Sequence, residues 1–392
     1  MKQTKNLIVF TVTTLFFTAC QKDTRLSQNS PDESAEVNTK SHYNENAGSG
    51  DGQPAGHVYT LSNQVSGNKV MDFRRADDGS LTFVAAYETG GNGTGTGLGN
   101  QGAIILADKN EIILAVNAGS NSISSFKVKN NGLRLLSTVH SGGERPVSIT
   151  QHDEVVFVLN AGGNGNISGF RLNGAGKLIP VSNSTKPLSS TNAGAAQISF
   201  VRDGRTIAIT EKATNTITTY TVNEWGIPGM MHTITSANPT PFGFAVGDNG
   251  NIFVSEAAGG AAGASTVSSY RINNDGSISL INGPVATTQS AACWVVLTHN
   301  GKFAYTTNTA SNTLSTFNVN PIAGNISLRS PVSATTGIGP IDAALNNNSK
   351  YLYILNSGSH SISVFAVAGD GGLNSAQTVL GLPIGANGLA AE

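Results

Sequence analysis

From His57 onward, short apolar runs alternate with clusters of Gly, Asn, Ser and Thr, and the alternation itself recurs. Each unit has an apolar strand leading into a turn, then a second apolar strand that ends in Asn or Glu. A short polar turn follows, and then a third strand closed by an aromatic residue. Glu111-Ile-Ile-Leu-Ala-Val-Asn117 precedes Asn121-Ser-Ile-Ser-Ser-Phe126, and Glu154-Val-Val-Phe-Val-Leu-Asn160 precedes Asn166-Ile-Ser-Gly-Phe170. Arg205-Thr-Ile-Ala-Ile-Thr-Glu211 precedes Asn215-Thr-Ile-Thr-Thr-Tyr220, and Asn251-Ile-Phe-Val-Ser-Glu256 precedes Ser265-Thr-Val-Ser-Ser-Tyr270. Two more copies end their second strands at Asn308 and Asn356 and their third at Phe317 and Phe365. A degenerate first copy runs His57–Asn63 and Asn68–Phe73.

Seven copies with a period of roughly 43 to 54 residues fall in the range of propeller repeats. A fourth strand follows a Gly turn such as Asn131-Gly132 or Asp275-Gly276, where glycine accepts the backbone that tight turns require. A four-stranded sheet cannot bury both faces alone, whereas seven packed around an axis can. The sequence therefore predicts an all-β, seven-bladed β-propeller over residues 56–392.

The two ends of this region agree with a closed ring. The first copy lacks an innermost strand before His57. The C-terminal Pro383-Ile-Gly-Ala-Asn-Gly-Leu-Ala-Ala391 matches the innermost-strand segment Gly339-Pro-Ile-Asp-Ala-Ala-Leu345 with nothing after it. The surplus strand supplies the missing one, so residues 384–391 are expected to complete the blade begun at His57. An open solenoid would not leave complementary half-units at its ends.

The start of the chain reads differently. Lys2 and Lys5, the apolar run Leu7 to Phe17 and the small pair Thr18-Ala19 form a signal-peptide pattern over residues 1–19. Phe17-Thr18-Ala19-Cys20 resembles a bacterial lipobox, which implies lipidation of Cys20 and a lipid-anchored protein of the cell envelope, at the outer membrane or cell surface. Gln21-Lys22-Asp23 is similar to a surface-export triplet. Residues 20–55 hold hardly an apolar side chain and read as a tether, since such a segment buries too little surface to offset its ordering entropy. Acylation of Cys20 would leave Cys293 without a partner, as a buried structural cysteine in the apolar stretch Ala-Ala-Cys-Trp-Val-Val.

Composition narrows the partners. A formal net charge of −1 with 12% charged residues argues against nucleic acid. No apolar stretch is long enough to span a bilayer, so the membrane is met through the lipid only. The seven histidines lack metal-ligand spacing, and neither a metal nor another cofactor is expected. Gly90-Gly-Asn-Gly-Thr-Gly-Thr-Gly-Leu-Gly99 has glycines at nucleotide-loop spacing but no following helix and no Lys, so it reads as a long mobile loop near a channel mouth. A monomer is expected.

Asp203-Gly204-Arg205, Asn300-Gly301-Lys302-Phe303-Ala304-Tyr305, Ser359-His360-Ser361-Ile362-Ser363-Val364-Phe365 and the closing Gly388-Leu389-Ala390 carry a resemblance to the 6-phosphogluconolactonase-type propellers and the related YVTN surface-repeat proteins. The resemblance covers about residues 57–392 and implies a site of His, Arg and Glu side chains at one mouth of the central channel. Opening a lactone needs a base and donors for the developing oxyanion. Here the pattern departs. Where the family has Pro-x-His, the chain has Pro146-Val147-Ser148. Its His-Pro-His becomes Asn192-Ala193-Gly194, its Pro-Arg-His becomes Pro241-Phe242-Gly243, and an Arg becomes Thr309.

Only the Asn-Glu acid survives, as Glu256, with Glu211 in the equivalent place one copy earlier. Both are candidate bases, or else strand-end acids bonded to backbone amides. Arg145 and Ser148 are candidate substrate contacts, and Arg145 and His152 flank one innermost strand. The strand-end Asn117, Asn160, Asn308 and Asn356 read as turn-makers bonded to their own backbone. Loss of cationic groups disfavours a phosphorylated substrate. The expected function is a lipoprotein propeller that binds a small ligand or an envelope protein. The alternatives are hydrolysis of an unphosphorylated lactone by Glu256, and an adhesion or spacer module.

Overall fold

A computed structural model describes residues 55–392; the expected signal peptide, Cys20 and nearly all of the tether lie outside the described residues. Seven antiparallel sheets follow one another around an axis, six with their strands in sequence order from the inside outward and one with the last strand of the chain innermost. Their innermost strands are Ile104–Ala107, Pro146–His152, Ala195–Val201, Pro241–Val246, Ala292–Leu297, Pro340–Leu345 and Asn387–Ala391, and each contacts the next around the full circle. The ring is closed.

Closure occurs where the sequence places it. Asn387–Ala391 pairs antiparallel with Gly56–Leu61, so that the first blade takes its inner strand from the C-terminus and its other three from residues 56–88. Thr60 Oγ1 donates to the Gly388 carbonyl at 2.6 Å, and the Glu392 N–H donates to the His57 carbonyl at 2.9 Å. The seam with the seventh blade is tied as well: Gln377 accepts from the Leu81 N–H at 2.6 Å and donates to its carbonyl at 3.1 Å.

The period-long pattern has a packing cause. A second strand lies between two strands of its own blade and between two neighbouring blades, so Ile112–Asn117, Thr206–Glu211 and Asn251–Glu256 are buried along their whole length. Continuous apolar runs rather than strict alternation result. The aromatic two or three residues before the end of each third strand (Phe73, Phe126, Phe170, Tyr220, Tyr270, Phe317 and Phe365) is fully buried and wedges one blade against the next. Only the third blade departs from the plan. Its outer strand is split into Leu178–Pro180 and Lys186–Pro187, and between them the Ser184 hydroxyl accepts the Gly169 N–H at 2.9 Å.

Cys293 is fully buried on its innermost strand, as its apolar neighbours predict.

Candidate functional site

The face of the ring at which second strands end is the face where the family resemblance puts a site. Its strand-end residues do not point into a channel. Asn117 Nδ2 donates to the hydroxyls of Ser122 and Ser124 at 3.2 and 2.9 Å. Asn308 does the same to Thr313 and Ser315 at 3.1 and 2.9 Å, and Asn356 to Ser361 and Ser363 at 3.1 and 3.0 Å. Each amide thus clamps its second strand to hydroxyls five and seven residues on, across the turn. This corrects the reading of these residues as turn-makers satisfied by their own backbone. Asn121, Asn215 and Asn312 cap the next blade instead, accepting from the N–H groups of Arg145, Thr240 and Gly339 at 2.8 to 3.0 Å.

The two candidate bases occupy the same clamp. Glu256 is fully buried, and its carboxylate accepts four hydroxyls: Ser236 at 2.7, Tyr270 at 2.9, Thr266 at 2.6 and Ser268 at 2.7 Å. Glu211, also fully buried, accepts from Thr218 Oγ1 at 2.7 Å, the Ser189 N–H at 3.1 Å and the Ser189 hydroxyl. Four donors fill the lone pairs of a carboxylate and offset its desolvation. Burial first, and then the Glu256 charge, push the Tyr270 phenol well above its usual range, while burial and Glu211 push Tyr220 up to about 12. Both phenols stay protonated. The partners of Glu256 are hydroxyls, not the backbone amides the sequence suggests.

The axis itself is occupied. The Gly-rich segment between the first and second blades turns inward, burying Leu98, Asn100 and Gln101. Gln101 donates from Nε2 to the Val295 carbonyl at 2.9 Å and accepts the Val295 N–H at 3.2 Å, pairing like a peptide group with the innermost strand of the sixth blade. Its own N–H reaches the Ala196 carbonyl of the fourth blade at 3.1 Å. The Asn100 carbonyl accepts Trp294 Nε1–H at 2.7 Å, its side-chain amide donates to Val147 of the third blade, and Gly102 accepts the Ile149 N–H at 2.9 Å. Lys212 Nζ donates to the Gly99 carbonyl at 2.5 Å and lies 4.9 Å above the Phe242 ring. The expectation of a mobile loop is therefore corrected: residues 98–102 form a plug bonded to the third, fourth and sixth blades.

The small residues at the departed family positions fit that plug. A Cβ on Gly243 would lie 2.0 Å from Gln101 Oε1 and 2.6 Å from the Cys293 carbonyl, so no larger residue fits there while Gln101 is in place. Ser148, fully buried, accepts the Ile198 N–H at 3.1 Å, and a Cβ on Gly102 would meet its hydroxyl at 3.0 Å. Thr309 Oγ1 donates to the Pro340 carbonyl at 2.8 Å. Arg145 is half-buried at the start of Pro146–His152, and His152 stands at that strand's far end, so the two lie on opposite faces of the ring. Glu211, Glu256 and Ser148 are thus each buried and hydrogen-bonded within the ring. Among the described residues no group of His, Cys, Asp and Glu could hold a metal ion.

The seven-bladed lactonase propeller family matches residues 54–186 and 264–383. A candidate 6-phosphogluconolactonase from Bacteroides fragilis superposes with a TM-score of 0.68 at 16% identity, covering 88% of this chain and 100% of that one. A second, from Bacteroides uniformis, gives 0.67 at 20% identity, with 85% and 99% coverage. The periplasmic gluconolactonase of Pseudomonas aeruginosa gives 0.63 at 16%, with 84% and 98% coverage. Among curated proteins no relative matches. Such identities establish the shared architecture, and the family match over well over half of the sequence establishes descent: the chain belongs to the lactonase family of seven-bladed β-propellers.

Proposed function

We infer that this propeller is a binding module of the cell envelope, held by a lipid on Cys20, in which the lactonase mouth has been given over to structure. One observation carries the reading: the positions where the family places imidazoles are small, and the space at Gly243 and Ser148 is taken by the plug residues Gln101 and Gly102. The two surviving carboxylates support it, since their acceptor sites are already filled by hydroxyls and one amide. A general base has to reach a water or a substrate proton, and catalytic power from an oxyanion site needs donors aimed at free space. Neither is met at Glu256.

The test is hydrolysis of glucono-1,5-lactone by the purified domain, followed against the spontaneous rate. The expected rate equals the buffer blank. Turnover above it that disappears in Glu256→Gln, in a variant with native thermal stability, would establish the hydrolase reading instead. The anchor is tested separately. Cys20→Ala should abolish incorporation of labelled fatty acid and release the protein from the membrane fraction. Recovery of Cys20 in a disulfide, in place of a thioether-linked lipid, would refute it.

A further inference from the structure

On the face opposite the plugged mouth, the turns of the second, third and fourth blades enclose an open groove of about 1360 Å³. That exceeds the roughly 300–1,000 Å³ of small-molecule pockets and suits an elongated ligand. Its two sides differ in charge. On the second blade Lys127 lies directly opposite Arg134 across a strand pair, Lys129 is two residues further along the same strand, and Lys109 sits in the adjoining turn. Like charges placed opposite each other destabilise a sheet. Glu111 pairs with Lys127, and the cations Lys127 and Lys109 hold its carboxyl below the usual range, yet it is a single countercharge among four cations. Asp108 in the same turn still leaves this corner positive.

The far side carries Asp153, Glu154, Asp203 and Glu224 against Arg171 and Arg205, with Arg171 bound to Glu154 and to the Glu224 carbonyl, which leaves it net acidic. Next to Asp153 the His152 ring is partly exposed, 5.8 Å from the ring of the buried Phe200. A continuous polyanion would be repelled by the acidic side. A chain with one acidic group and many hydroxyls would not be, because carboxylates accept hydroxyl hydrogen bonds and the partly exposed His152 ring offers a flat face to a sugar.

We propose that this groove binds an oligosaccharide bearing an acidic sugar, with the acid at the Lys129/Arg134 corner and the neutral sugars along the acidic side. This deepens the reading of the domain as a binding module and rests on it. The experiment is calorimetric titration of the domain with a xylo-oligosaccharide carrying one glucuronate, with the same oligosaccharide lacking it, and with tripolyphosphate.

Binding of the first probe alone is expected, weakened about tenfold or more by Lys129→Ala with Arg134→Ala. It should also weaken as ionic strength rises from about 50 to 500 mM. Equal binding of the neutral sugar, equal binding of tripolyphosphate, or no binding of any probe would overturn the proposal. Both substitutions are at exposed positions, and an unchanged melting temperature confirms that folding is intact. Capture of an envelope protein by a domain that ignores all three probes would sink the glycan site and leave the binding-module reading standing. Lactone hydrolysis would do the reverse.

Discussion

Removal of one side chain tests whether the plug is part of the fold. Gln101 supplies both partners of the Val295 peptide edge, and Gln101→Ala leaves that buried N–H and C=O without them. An orphaned buried group costs about 1–3 kcal/mol, and water entering the vacated space recovers some of it, so about 3 kcal/mol for the pair is expected. Spread over the unfolding entropy of roughly 340 residues, about 0.7 kcal/mol per degree, this lowers the melting temperature by about 4 °C. Locally the same energy raises the open population of that edge about 150-fold.

Hydrogen exchange by mass spectrometry should show the segment 292–297 losing protection in the variant. The segment 241–246 should be unchanged, because its edge is held at Phe244 by a different glutamine, Gln197, at 2.6 and 3.0 Å. Identical protection of 292–297 in the two proteins would mean that the central segment is not bonded into the ring, and the case for a filled mouth would fall with it.

Other substitutions probe the remaining framework. Leu389→Ala on the closing strand should cost about 3 kcal/mol, or about 4 °C by calorimetry, whereas Leu380→Ala, at a 70% exposed position, should cost almost nothing. Equal effects would argue against closure as the seat of stability. Asn356→Ala strips Ser361 and Ser363 of their common partner and should lower the melting temperature by about 3 °C, from about 2 kcal/mol, with Asn356→Asp retaining more of the clamp. Burial pushes the Asp342 carboxyl well above the usual carboxylate range, against the pull of the Ala343 and Leu389 amides. A raised carboxyl favours the fold at low pH and loses that advantage as pH rises past 3.8 towards its folded value. Asp342→Asn should therefore raise the melting temperature more at about pH 8 than at about pH 4; an equal gain at both would refute the buried-proton account.

What could be read from the residues alone follows from where the information is stored. Blade number and ring closure depend on features spaced within one unit: an apolar run, an Asn or Glu, a terminal aromatic. These recur at Asn117 and Phe126 just as at Asn356 and Phe365. The plug escaped notice because its contacts are distant and use peptide groups. Gln101 meets Val295, 194 positions away, and a stretch of glycines has no hydrophobic period to betray its burial. A hint was present in the coincidence of Leu98-Gly99-Asn100-Gln101 with unusually small residues at Ser148 and Gly243. The clamps were also missed, although Ser or Thr recurs five and seven positions after Asn117, Asn308 and Asn356. Hydroxyls in a strand read as β-propensity unless their partner is sought. The charge difference across the groove lies in turns from three blades, which a linear reading scatters.

Because the last strand runs alongside the first, Ala55 and Glu392 leave the ring close together, on the rim that carries the charged groove. A leash attached to either end would draw that rim toward whatever it is fastened to and turn the sealed hub outward. Large ligands would then have to enter from the flank, and a bulky tag added at the carboxyl end would crowd the approach, whereas one inserted at an outer hairpin on the sealed side would leave it open.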